Sequence, residues 1–226
     1  MADRQNDFSQ GSIPRNIMSL ALPMTAAQLV NVLYSVVDRI YLGHLPASDS
    51  LALTGLGVTM PIVSILMGFA NLCGTGGAPL CSISRGRGDD QEAERVMGSA
   101  FLLLLILGAA CTAFFLAFKE PVLYLFGASP DTFPYADGYM TIYLWGTLFV
   151  MVSLGMNPFI NAQGFGRVGM MTVLLGAAVN IILDPILIFV FHMGVQGAAL
   201  ATIYTQFLSA AWVLSFLTGK KAILRQ

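Results

Sequence analysis

Two carboxylates stand where carboxylates are costly. Asp38 follows a charge-free run over 16–37, and Asp184 is the only formal charge between Val168 and Gly219. Acids in apolar segments usually face a cavity or a partner. Oxygen-bearing side chains recur around both. Gln28, Asn31, Ser35 and Asp38 fall at i, i+3, i+7 and i+10, one polar stripe if the segment is helical, with Tyr34 one turn below Asp38. Asn180 and Asp184 are i, i+4 neighbours, and Thr202, Gln206 and Ser209 make a third stripe. Pro185 lacks an N–H and so frees the carbonyl of Ile181. Oxygen ligands alone suit a hard cation such as Na⁺, and a shielded acid suits a proton. A lone Asn or Thr would be read as interhelical glue. The set together is read as a site.

The depths of these residues agree. Asp38 lies about 6 Å before the expected end of its helix at Leu42. Asp184 lies about 10 Å before Phe191, and Thr202 about 12 Å after Gly194. Three helices therefore bring oxygens to one level in one half of a bilayer.

The elements that position them follow from charge gaps. The 226 residues are 56% hydrophobic and 10% charged, against about 25% charged for a soluble domain. Mean hydropathy is +0.75. An ordinary cytosolic enzyme, a disordered chain and, at net charge −1, a nucleic-acid binder are excluded. Charges are missing from 16–37, 50–84, 96–118 and 138–166. No strict alternation marks membrane strands, so the expected class is all-α and polytopic. Six spans are expected at about 15–42, 51–83, 95–118, 133–162, 168–191 and 195–218, with a tail over 1–14 and an end at 220–226. Pro23 is expected to kink the first span. The second is long for a straight crossing, so it is expected to tilt strongly, break or project beyond the bilayer, with Pro61 and the run Cys73-Gly-Thr-Gly-Gly-Ala-Pro79 as candidate breaks. Val122–Phe126, after Lys119-Glu-Pro121, is too short to span and reads as a helix end.

Arg4, Arg15, Arg85, Arg87, Arg95, Arg167, Lys220, Lys221 and Arg225 fall on one side, and Arg39 and Lys119 on the other. That asymmetry places both termini in the cytoplasm of a cell-membrane protein. No cleavable leader is legible at the N-terminus. Cys73, Cys81 and Cys111 lack metal-ligand spacing and read as small hydrophobes. No cofactor is expected. Met140, Met151, Met156, Met170 and Met171 could give a cavity an adaptable lining, although packing is the commoner role of any one methionine.

Pro23-Met24 followed by Asn31-Val-Leu-Tyr-Ser-Val-Val-Asp38-Arg-Ile-Tyr-Leu-Gly43 resembles the first helix of multidrug and toxic compound extrusion (MATE) transporters. Asn161-Ala-Gln-Gly164 is similar to the family's fourth helix end. Asn180-Ile-Ile-Leu-Asp184-Pro185 and Gly194-Val-Gln-Gly-Ala-Ala-Leu-Ala-Thr202 are similar to its fifth and sixth helices. The resemblance covers nearly the whole chain but only the family's first six-helix lobe. It implies an Na⁺- or H⁺-coupled antiporter exporting drugs or other organic cations, with the second lobe, or a second copy, as partner. It also implies a coupling-ion site of Asp38, Asn180, Asp184 and Thr202, supported by Tyr139 and Asn157 beside Tyr34. Pro23 would match the proline at which the first helix bends. Two rivals remain: a lipid-linked oligosaccharide flippase, which would want a basic cavity, and a six-helix intramembrane enzyme. No nucleophile–base pair or Gly-x-Ser-x-Gly supports the latter, and the expectation is a protein that is not an enzyme.

Overall fold

A computed structural model describes residues 13–43 and 50–219. Residues 1–12, 44–49 and 220–226 lie outside it, and with them most of the expected tails and His44. Among the described residues there is no strand. Helices α1 (Ile13–Gly43), α2 (Ser50–Gly86), α3 (Asp90–Leu125), α4 (Phe133–Trp145), α5 (Thr147–Ala162), α6 (Gly166–Pro185) and α7 (Gly194–Leu217) follow in order, with a π-helical turn at Ile186–Val190. Five helices are long and apolar enough to cross a membrane. Taken together as one broken span, the bent pair α4–α5 brings the number among the described residues to six. The expected all-α, six-span architecture is the one observed.

Of the outcomes expected for the second span, a break is not the one observed in α2. Its 37 residues run unbroken through Pro61 and Pro79, about 56 Å at 1.5 Å each. Each proline removes one backbone bond but leaves the rest of the ladder intact. α3 is capped by the Asp89 carboxylate, which accepts from the Glu92 N–H at 2.9 Å, with Asp90 and Glu92 in the positive first turn. It runs on to Leu125 through a kink at Phe118 (φ −115°, ψ 16°), three residues before Pro121. The apolar piece after Lys119 is thus the kinked end of one helix. Lys119 turns back onto α4, 2.7 Å from Asp137 and 2.6 Å from the Thr141 hydroxyl.

The fourth span breaks by 59° between α4 and α5. Gly146 sits at the break, and a Cβ there would overlap the side chain of Ile203 on α7. The bend lets α7 press against bare backbone.

Two apolar cores fill the bundle. Near the end at which α1 begins and α7 ends, Met97, Leu104, Met151, Met156, Phe159 and Leu217 pack together. Toward the other end, Leu56, Ile62, Met140, Tyr143, Leu144 and Ile188 do so. Met140, Met151 and Met156 are fully buried, so they are core rather than cavity lining; Met171 is exposed. α2 packs between α3 and α5, α7 sits among α4, α5 and α6, and α1 lies along α6 with little contact to α2. Ala27 is the one buried side chain among those described on α1.

Candidate ion-binding site

The site starts from one turn of α6. Asn180 and Asp184 are 3% and 1% exposed, and the Asn180 amide donates to Asp184 Oδ1 at 3.4 Å. Four residues of helical spacing are what allow that contact. Asn180 Oδ1 is buried and has no protein partner. Pro185 follows, and the chain widens at once into the π-helical turn. Such turns cluster at functional positions.

Three other helices reach this level. α1 runs beside α6 in the same direction, with the Tyr41 and Phe189 rings edge to face at 6.3 Å. That register sets Tyr34 and the backbone of Asp38 on either side of the Asp184 level. The Asp38 side chain is outside the described residues. α7 returns antiparallel. A Cβ on Gly197 would stand 2.8 Å from the Leu187 carbonyl, and one on Gly176 would stand 3.1 Å from the Ser209 hydroxyl. Thr202 therefore lies between the levels of Asn180 and Asp184, half-buried. α4 packs on α7 through Gly138 against Gln196, which sets Tyr143 near the level of Asp184 and Tyr139 about one turn beyond it. Their rings stack at 5.8 Å, both buried, and Tyr34 lies within electrostatic reach of Tyr143.

By these registers Tyr34, Tyr139, Asn180, Asp184 and Thr202 fall within about 10 Å of one another along the bundle. Asn157 does not, which is a correction. Its amide donates to the Gly169 carbonyl at 3.4 Å. Gly169 is fifteen residues, or about 22 Å, down α6 from Asp184. α5 passes α6 at that end, and its place in the sequence carries no sign of this. Of the first-span stripe, Gln28 is exposed and Asn31 half-buried; the Ser35 and Asp38 side chains lie outside the described residues. Pro23, on the half-buried side, stays inside a continuous α1.

Two residues escaped the sequence reading. Tyr143 is level with Asp184 and fully buried; its spacing of four from Tyr139 was the available signal. Thr205 is buried on α7 with an unpartnered hydroxyl, three residues after Thr202. Among the described residues no His, Cys, Asp and Glu cluster could hold a metal. The donors present are a carboxylate, an amide carbonyl and hydroxyls, a set that suits Na⁺ or a proton.

A helical lobe with an amide–carboxylate pair buried between its spans fits a membrane transporter. The chain belongs to the MATE family: the MatE family model matches residues 23–186, and the protein is a transporter-family member and not an enzyme. It is 30% identical over 217 residues to the multidrug export protein MepA of Staphylococcus haemolyticus, covering 96% of this chain and 48% of MepA. To MepA of Staphylococcus aureus it is 29% identical, covering 92% and 46%. The crystal structure of a MATE P26A mutant matches with a TM-score of 0.88 at 25% identity, over 94% of this chain and 47% of that one. An outward-facing multidrug resistance MATE family transporter matches at 0.87 and 27%, over 93% and 46%. The chain spans about half the length of these relatives.

Proposed function

We propose that this chain forms one lobe of a cation-coupled antiporter that exports drugs or other organic cations. The observation that carries the reading is the Asn180–Asp184 pair, in contact at 3.4 Å and 3% and 1% exposed between the helices. A carboxylate buried within a membrane bundle is a position at which a proton or a cation is taken up. Asp38 and Thr202 complete the ion site, with Tyr34 and Tyr139 as hydrogen-bonding support.

The exchange works through unequal affinities. Na⁺ or H⁺ taken up from outside favours the state that releases substrate, and return of the ion inward restores the other. The surface of α2 supports a second bundle. Thr54, Gly57, Ser64, Gly68, Asn71 and Thr75 recur at steps of three, four and seven and are all exposed. Polar groups on that stripe find no partners in hydrocarbon. A second six-helix lobe, or a second copy, covers them, and the substrate path runs between the two bundles. Both termini lie in the cytoplasm, as the arginine and lysine distribution requires.

The test is efflux of a fluorescent organic cation under an imposed Na⁺ or pH gradient, in cells producing the assembled transporter. Asp184→Asn is expected to abolish coupled efflux at unchanged protein level. Efflux at the wild-type rate would refute the reading.

A further inference from the structure

The kinked end of α3 encloses a groove that the ion site does not use. A straight α3 would set Phe126 about 28 Å beyond Leu107. The break at Phe118 instead brings both to one groove of about 550 Å³, with Ile65 and Phe69 of α2 and Cys111 and Phe114 of α3. Phe115 forms part of its inner wall and belongs to the same core as Tyr139 and Tyr143. None of the ten residues that line the groove carries a charge, an amide or a hydroxyl. The one side-chain heteroatom among them is the Cys111 sulfur. Ile65, Phe114 and Leu125 are exposed, so the groove is open at the surface of the lobe.

Depth, chemistry and direction select the occupant. Ile65 and Leu107 stand near the middle of α2 and α3, so the groove lies at hydrocarbon depth. Water is a poor occupant, because apolar cavities without hydrogen-bonding groups stay dry. An organic cation is as poor, since no acidic side chain lines the groove to meet its charge. Direction sets the second bundle aside. Around α2, Ile65 and Phe69 lie about 110° from the midline of the exposed polar stripe. The groove therefore opens away from the face that a second lobe covers. Left unfilled, its walls would lose the packing contacts of a filled surface. What a bilayer supplies at this depth is hydrocarbon chain.

We infer that this groove binds an acyl chain of a membrane phospholipid, from the leaflet at the end of the bundle where α3 terminates. Leu125 and Phe126, on the kinked end, hold the chain against α2 and α3. The headgroup stays outside, in keeping with the lack of polar groups within. The inference does not depend on Asp184. It rests on the proposed function only in giving the α2 stripe, rather than the groove, to the second bundle.

The test is photo-crosslinking of the full 226-residue chain in nanodiscs of phosphatidylcholine that bears a diazirine midway along one acyl chain. Mass spectrometry locates the labelled residues. Labelling of Leu107, Cys111 and Phe114 should be severalfold higher than that of Leu102, Leu103 and Ile106, which are exposed on the same helix outside the groove. Ala110→Trp, at an exposed position that lines the groove, should remove this excess and leave the labelling of Leu102 unchanged. Ala109→Trp, exposed beside it but outside the groove, should keep the excess. If Ala110→Trp does not fold, Leu125→Asp should remove the excess by setting a charge at a groove position that is 79% exposed. Even labelling along α3, or an excess that survives in the folded groove variants, overturns the lipid site and leaves the transport reading standing. Joining of two chains through their Cys111 thiols by a short bifunctional reagent would place a second copy in the groove. That result overturns both the lipid site and the assignment of the α2 stripe to the second bundle.

Discussion

Asp184 was legible at the level of single residues because it is alone: one charge in a long apolar stretch has a cost that demands a partner. Asn180 followed from helical spacing, and the two are in contact. Asn157 was misplaced for the opposite reason. An amide in an apolar run looks the same at either end of a span, and only the packing of α5 on α6 shows it bonding Gly169. Tyr143 was hidden because an aromatic in a membrane helix is ordinary. We expect Asn180→Leu to weaken ion binding about tenfold or more, the equivalent of one lost charge-assisted hydrogen bond, read as Na⁺ or proton uptake by the purified chain. Lys119→Met should cost about 1 kcal/mol or less, since a partly exposed pair contributes little. Thermal unfolding of the two proteins side by side measures it.

Gaps between charges marked the spans well, because hydrocarbon excludes charge over a fixed thickness and nothing else in the sequence competes with that constraint. Breaks within helices were not legible. Pro61 and Pro79 suggested a broken α2, but one missing bond per proline leaves the helix intact. The break falls instead at Gly146, and its cause, Ile203, belongs to a different helix. Gly146→Val should therefore destabilise the lobe by about 1–3 kcal/mol or more, as overpacking does. Gly57→Ala, on the open face of α2 with nothing within 4 Å, should leave the melting temperature unchanged. Equal melting of both variants would show that the bend does not depend on the Gly146–Ile203 contact.

At the scale of the molecule, one lobe can close an ion site but not a substrate path. The exposed polar stripe of α2 and the weak contact between α1 and α2 leave a face that needs a second bundle. We expect a cysteine placed in either terminal tail to react with an impermeant thiol reagent only when the cytoplasmic side is exposed. Reaction of either from outside would reverse the orientation. We also expect no gradient-driven uptake of organic cation into liposomes by chains that cross-linking shows to be monomeric, and uptake only where two bundles lie together. The ion site needs no such assembly, because Asn180, Asp184, Thr202, Tyr34 and Tyr139 all lie within this lobe. Purified chain in nanodiscs, wild type and Asp184→Asn, can be compared for bound isotopic Na⁺ and for protons exchanged with the medium. The wild type should bind one of the two ions saturably and in stoichiometric amount, and Asp184→Asn should bind neither. Equal uptake of both ions by the two proteins would contradict an Asp184-centred coupling site.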